Sequence, residues 1–309
     1  LDMDMRMHKA ISIIQFKLEG QLIQRRPEFD MEHRLLLDKI DFDKGTVMVE
    51  GVEYPMKDTD FPTVDPRNPY KLSAQEEMVV ERLVYAFTHC EKLQKHLRFM
   101  FLKGGLYKNY NSNLLYHGCV PLTEDGQFKK VELFGEAYSG KGLYDALELY
   151  ARKGFIAENG SEEKQIGQDI MWYIWCNQNS PVFGKDKMTT FERYFIDDKQ
   201  THKETKNPYY SLLDDENLIN RILEEFGLDQ EHSHIVNGHV PVEQKNGESP
   251  IRCGGKLLII DGGFSRAYQG KTGIAGYTLV SSSRGMHLAA HEAFESSEAA
   301  ILKETDIIE

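Results

Sequence analysis

Asn113-Leu114-Leu115-Tyr116-His117-Gly118-Cys119-Val120-Pro121 and His234-Ile235-Val236-Asn237-Gly238-His239-Val240-Pro241-Val242 share one design. In each, a short β-like apolar run leads to an imidazole with glycine beside it and proline four or two positions on. A third run, Lys256-Leu257-Leu258-Ile259-Ile260-Asp261-Gly262-Gly263-Phe264, ends on an acid and two glycines. Such runs place polar groups at the C-terminal ends of strands, where open α/β sheets hold their ligands. The pattern predicts an α/β fold whose strand ends gather part of a hydrolytic metal site.

Working outward, Met7, Ile11, Ile14 and Leu18 recur at helical spacing and predict an amphipathic helix over 5–19, ending near Gly20. Val47 to Tyr54 alternates around a tight turn and predicts a β-hairpin. Pro62, Pro66 and Pro69 mark 57–70 as a loop. Ser73 with Glu76 fits a capping box that opens one long helix to about Leu102, its stripe being Met78, Leu83, Phe87, Leu93, Leu97 and Met100. Further helices are predicted at about 141–153, 162–176, 188–200 and 214–226, the last closed by Phe226-Gly227. Strands follow at 233–237, 256–261, 274–282 and 285–290, and a helix from about 292. Helices in the middle with strands on both sides predict one α/β core with a helical insertion at 141–226, a lid or an oligomer contact.

The chain has 309 residues, 40% hydrophobic and 28% charged, enough to bury a sizeable core. Its net charge of −12 argues against nucleic acid and anionic membrane as partners. A phosphate substrate would then need a metal ion or a local cluster of cations. No stretch approaches the ~20 apolar residues of a membrane span, and 1–6 lacks the features of a secretion signal. Cys90, Cys119, Cys176 and Cys253 are scattered and read as reduced thiols, which points to the cytoplasm. A chain that starts at Leu1 in a helical pattern reads as an internal fragment of something longer.

Taken alone, His117 reads more readily as a structural residue than as a ligand; His239, at a corner framed by Gly238 and Pro241, is the sharper candidate. Neutral imidazole suits zinc, manganese or iron, and two such corners can meet across adjacent strands. His232 and His234 open their apolar run and read as loop-edge residues. Gly270-Lys271-Thr272 is not a P-loop, because Ser265 stands where the first glycine should and a strand pattern follows. The glycine-rich segment 262–276, with Arg266 and Lys271, reads either as an anion cradle or as a plain connecting loop. Between helices, 175–185 mixes aromatic, amide and hydroxyl groups and ends in Lys185, a composition suited to substrate contacts. Arg193 adds a second cation there, with surface charge as the alternative for both.

His-Gly-Cys-Val-Pro at 117–121, Phe-Gly-Lys at 183–185 with Met-Thr-Thr-Phe-Glu-Arg-Tyr-Phe at 188–195, Asn-Gly-His-Val-Pro-Val at 237–242 and Ile-Asp-Gly-Gly-Phe-Ser-Arg-Ala-Tyr at 260–268 occur in this order. Together with Phe16-Lys17-Leu18-Glu19 and Lys206-Asn207-Pro208-Tyr209-Tyr210, they resemble class III fructose-1,6-bisphosphatase, of the calcineurin-like metallophosphoesterases. The resemblance implies a β-sandwich flanked by helices and a binuclear metal site on loops at strand ends. It makes His117 and His239 metal ligands of the same ion, the fourth and fifth of five ligand blocks. The first three blocks, Asp-x-His, Gly-Asp-x-x-Asp and Gly-Asn-His, do not occur in 1–309. The chain is therefore expected to be the C-terminal half of one metallophosphoesterase domain, with its catalytic residues upstream and little activity alone. The reaction implied is hydrolysis of a sugar bisphosphate, fructose 1,6-bisphosphate, to fructose 6-phosphate and phosphate in gluconeogenesis. Mn2+ is the expected metal, and Lys185, Arg193, Arg266 and Lys271 are assigned to the phosphates. Alternatives are another metallophosphoesterase, acting on proteins or dinucleotides, or a non-catalytic binding or regulatory subunit. Homo-oligomerisation stays open.

Overall fold

The computed structural model describes residues 2–291 and 296–303. Helix α1 (Met3–Arg25) starts where the Asp2 side chain accepts from the Met5 N–H, as an N-cap should. It runs past the predicted stop at Gly20. The Tyr70 ring occupies the space of a Cβ there, 2.0 Å from where that atom would stand, so this glycine makes room for a ring. At the end of α1, Arg25 and Arg26 both bind Asp169, whose side chain is fully buried.

The predicted hairpin forms inside a three-stranded antiparallel sheet, β1 (Ile40–Asp41), β2 (Thr46–Val49) and β3 (Val52–Pro55). Its two turn residues, Glu50 and Gly51, have φ of 49° and 82°, as tight hairpin turns require. Segment 57–70 contains no helix or strand, as predicted. Ile13, Phe16, Val47, Phe61, Phe191 and Phe195 form the core under this sheet.

The capping box at Ser73 and Glu76 is present, yet the predicted single helix is two: α2 (Ala74–Thr88) and α3 (Glu91–Lys103). Thr88 Oγ1 donates to the Val84 carbonyl at 2.7 Å, and His89 Nδ1 lies 2.9 Å from the Tyr85 carbonyl. These side chains satisfy the last-turn carbonyls, and Cys90 turns extended before α3 begins. Met78, Leu83 and Phe87 of the predicted stripe are exposed.

The main sheet begins with the antiparallel pair β4 (Tyr107–Tyr110) and β5 (Asn113–Tyr116). A hairpin, β6 (Val131–Leu133) and β7 (Glu136–Tyr138), precedes helices α4 (Gly140–Ile156), α5 (Glu162–Cys176), α6 (Thr190–Phe195) and α7 (Glu216–Glu225). The prediction over 188–200 shrinks to α6 and a 3-10 turn at 199–202. Ile196 is extended because it bridges to Met56, and the Phe195 carbonyl accepts from the Lys57 N–H. Gly227 closes α7 as predicted: its N–H bonds to the Glu224 carbonyl and that of Leu228 to the Leu223 carbonyl, a Schellman motif.

Strand β8 (His234–Asn237), then β9 (Ile251–Arg252) and β10 (Leu257–Ile259) complete a sheet of order β4-β5-β8-β10-β9. β5, β8 and β10 are mutually parallel, and the two edge strands are antiparallel to their neighbours. Leu114, Ile235 and Leu257 stand in register across the three and are fully buried. Each contributes roughly 2 kcal/mol by leaving water. Parallel pairing needs a crossover, and 117–233, with α4 to α7, supplies it between β5 and β8.

A short helix, α8 (Arg266–Thr272), was not predicted; it lies within the glycine-rich segment read as a loop. The hairpin β11 (Tyr277–Ser282) and β12 (Gly285–Ala290) and helix α9 (Ser297–Lys303) follow. The helix predicted from about 292 has its first residues, 292–295, and its last, 304–309, outside the described residues. The architecture is α/β with mixed and antiparallel sheets among helices. Among the described residues no helix is long and apolar enough to cross a membrane.

Candidate functional site

Because β5, β8 and β10 run the same way, their C-terminal ends share one edge. That edge carries His117, Gly238-His239 and Asp261. Gly238 donates its N–H to the His117 carbonyl at 3.0 Å, and Val242 donates to the Asp261 carbonyl at 2.8 Å. The three exits are thus tied to one another through the backbone. His239 has φ of 66°, a left-handed conformation that non-glycine residues seldom hold without surrounding support.

The two predicted imidazoles touch. His117 Nε2 lies 2.9 Å from His239 Nδ1, with the rings edge to face. His239 Nε2 lies 2.9 Å from the Phe183 carbonyl, which can only accept, so that nitrogen carries the proton. In the neutral ring Nδ1 is then the acceptor, facing His117. Burial lowers the His239 pKa from the ordinary imidazole value, and the His117 ring adds to the shift. The loop 177–189 therefore matters here: besides Phe183, its Pro181 carbonyl accepts from the Cys119 N–H. Gly118 lies so close to this loop that a Cβ would stand 2.4 Å from the Pro181 oxygen.

Two nitrogens 2.9 Å apart fit neighbouring positions around one ion, since bonds of about 2.1 Å at right angles separate nitrogens by about 3 Å. Asp261 lines the same edge, 3.3 Å by its Cβ from where a Gly238 Cβ would stand. Its Oδ1 accepts from the Gly263 N–H at 2.8 Å. Among the described residues no group of three His, Cys, Asp or Glu side chains is set to hold a metal. The pair fits an ion as two donors of a larger shell.

The predicted cations Lys185 and Lys271 are held by different carboxylates. Lys185 pairs with Glu204 at 2.9 Å, and Arg193 reaches the same carboxylate at 3.6 Å and the His202 carbonyl at 2.9 Å. Lys185 is also close enough to His239 for its charge to depress the imidazole pKa. Lys271 pairs with Glu243 at 3.0 Å across the surface. Arg266 is exposed at the start of α8. His232 sits on a turn against Asp229, as a loop-edge residue should.

Sequence reasoning missed Asn237 and Glu204. Asn237 is buried inside the quoted motif, where a polar residue ending an apolar run was a usable signal. Glu204 lies in the polar run 199–206 and gave none.

A parallel-centred sheet with paired imidazoles at its strand ends is compatible with a phosphoesterase-like fold. The family profile described as Firmicute fructose-1,6-bisphosphatase matches residues 1–309, and the chain belongs to that family. It is 58% identical over 303 residues to the class 3 fructose-1,6-bisphosphatases of Clostridium acetobutylicum and Clostridioides difficile, covering 98% of this chain and 46% of each relative. The corresponding protein of Clostridium botulinum strain Alaska E43 is 55% identical over 308 residues, 100% of this chain and 47% of its own length. The chain thus spans about half the length of the curated relatives it matches. No solved structure matches it.

Proposed function

We propose that this chain is part of an enzyme that hydrolyses fructose 1,6-bisphosphate to fructose 6-phosphate and phosphate, the gluconeogenic step. One observation carries the reading: the imidazoles of His117 and His239 meet at 2.9 Å on the ends of adjacent parallel strands, in a member of this family. On this reading both hold one ion of a binuclear Mn2+ centre, whose other ligands and catalytic residues come from motifs outside 1–309. The chain is then the second half of a calcineurin-like domain, its five-stranded sheet one layer of the sandwich and 141–226 an insertion. When bound, the ions supply Lewis acidity to phosphate and make water acidic enough to attack at neutral pH.

The protein's own groups do the rest. The Phe183 carbonyl fixes the His239 tautomer and keeps Nδ1 unprotonated, so that the lone pair now facing His117 is the one an ion would take. Phosphoryl transfer through a loose transition state needs positioning and charge neutralisation. Lys185, Arg193, Arg266 and Lys271 are assigned to that task, with Glu204 holding the first two in place. The four free cysteines support a reducing, cytoplasmic setting.

Phosphate release from fructose 1,6-bisphosphate by the chain in its complete reading frame tests the proposal. Mn2+-dependent turnover that His117→Ala and His239→Ala abolish is the expected result. Release from protein or dinucleotide phosphoesters, with none from this sugar, would keep a metallophosphoesterase and remove the substrate. The 309-residue chain alone is expected to bind metal weakly and turn over little. Turnover by it that His239→Ala abolishes would mean a carboxylate within the chain completes the shell.

A further inference from the structure

We propose that Asn237 is a positioning residue that sets the separation of the His117 and His239 imidazoles. The proposal rests on reading those imidazoles as holders of one ion. Asn237 ends β8, two residues before His239, and is 3% exposed. Its own backbone is fixed by the neighbouring strand: its carbonyl accepts from the Ile260 N–H at 3.0 Å. From that fixed base the side chain crosses to the exit of β5. Nδ2 donates to the carbonyl of Gly118, the residue after His117, at 3.1 Å, and to the Tyr209 hydroxyl at 2.9 Å.

The amide orientation is not arbitrary. The Gly118 carbonyl can only accept, so Nδ2 must face it. Tyr209 in turn lies 2.7 Å from the Tyr116 hydroxyl, the last residue of β5. One buried amide therefore links both histidine-bearing exits, beside the backbone bond from Gly238 to the His117 carbonyl. The backbone bond fixes how the chains approach. The side-chain bond fixes the turn that follows His117, and with it where that ring points. Groups that orient metal-binding side chains from behind typically change affinity by about 10–100-fold when removed.

Asn237→Asp tests this at constant shape. A carboxylate would confront the Gly118 carbonyl, acceptor against acceptor. In metal-free protein, long-range 1H–15N correlation spectra of the histidines are expected to show His117 as the Nε2–H tautomer that donates to His239 Nδ1 in the parent chain. Asn237→Asp, which loosens the His117 ring, is expected to show a mixture of His117 tautomers. Titration with Co2+ alone, followed by visible absorption, is expected to show at least tenfold weaker binding in the variant. Asn237→Ser, too short to reach Gly118, should reproduce both changes if Asn237→Asp folds poorly. Tyr209→Phe keeps the bond to Gly118 and is expected to leave tautomer and Co2+ affinity within twofold.

A residue with a purely structural role would lower the melting temperature without changing the tautomer. An unchanged tautomer in both Asn237 variants overturns the proposal. If the parent chain in its complete reading frame binds no Co2+ while the tautomer still responds to Asn237→Asp, positioning stands and the metal reading falls.

Discussion

Strands β5 and β8 and the helices α2 and α3 all carry apolar residues at regular spacing, yet they end in opposite environments. Leu114, Tyr116, Ile235 and Asn237 are buried, and their polar neighbours are tied together across strands. From the second half of α2 to the start of α3, by contrast, every residue from 81 to 92 is exposed, Leu83 at 40% and Phe87 at 61%. The difference teaches that periodicity reports which residues share a face and says nothing of what covers it. A strand in the middle of a sheet is flanked by partners on both sides. These helices are held at their ends: Glu76 pairs with Lys17 of α1, and Phe101 stacks on Phe155 of α4 at 4.1 Å.

That contrast can be broken by experiment. The largest effect is expected from Lys17→Met, which leaves the Glu76 carboxylate buried without its partner. Removing one side of a buried pair costs about 3–5 kcal/mol, read as a lower urea midpoint. A smaller loss, about 3 kcal/mol by the same measurement, is expected for Leu114→Ala in the fully buried row of the sheet.

Next comes pH. Burial alone would raise the Glu76 pKa, but hydrogen bonds from Lys17, Thr63 and the Ser73 N–H outweigh it and hold the carboxyl below the usual 4.5. Its folded pKa being depressed, its contribution is fully present above that value and is lost as pH falls through the folded pKa. The parent should therefore lose more melting temperature between pH 6 and pH 3.5 than Glu76→Gln does. The smallest effect is expected at Phe87→Ser, within about 0.5 kcal/mol of the parent by urea unfolding. A loss of several kcal/mol there would mean that α2 is covered after all, and the contrast would collapse.

The strand ends were legible in the sequence because each central strand is a short apolar run closed by glycine and an imidazole or acid. Meeting of His117 and His239 followed from that layout once the strands proved to be parallel neighbours. The break between α2 and α3 was not legible, because Thr88 and His89 end the helix with side chains that a periodicity count treats as ordinary polar positions. Helix α8 hid behind its glycines: Gly263 and Gly273, with φ of 72° and 79°, flank the helix, and only Gly270 lies within it. Short edge strands such as β4 and β9 depend on a neighbour for definition, so their own residues announce little. Glu204 escaped notice for the same reason, since only the fold brings Lys185 and Arg193 to it.

The parallel pairing of β5 with β8 also has a kinetic consequence. His117 and His239 are separated by 122 positions, so their contact closes one of the longer loops of the chain. Contacts so distant in sequence form late, because the entropy of closure is lost before the contact returns any stabilisation. During synthesis the corner stays open until residues well past 239 have left the ribosome. A ligand that needs both imidazoles stabilises only molecules that have finished folding, and its capture is a clock for the last step of assembly.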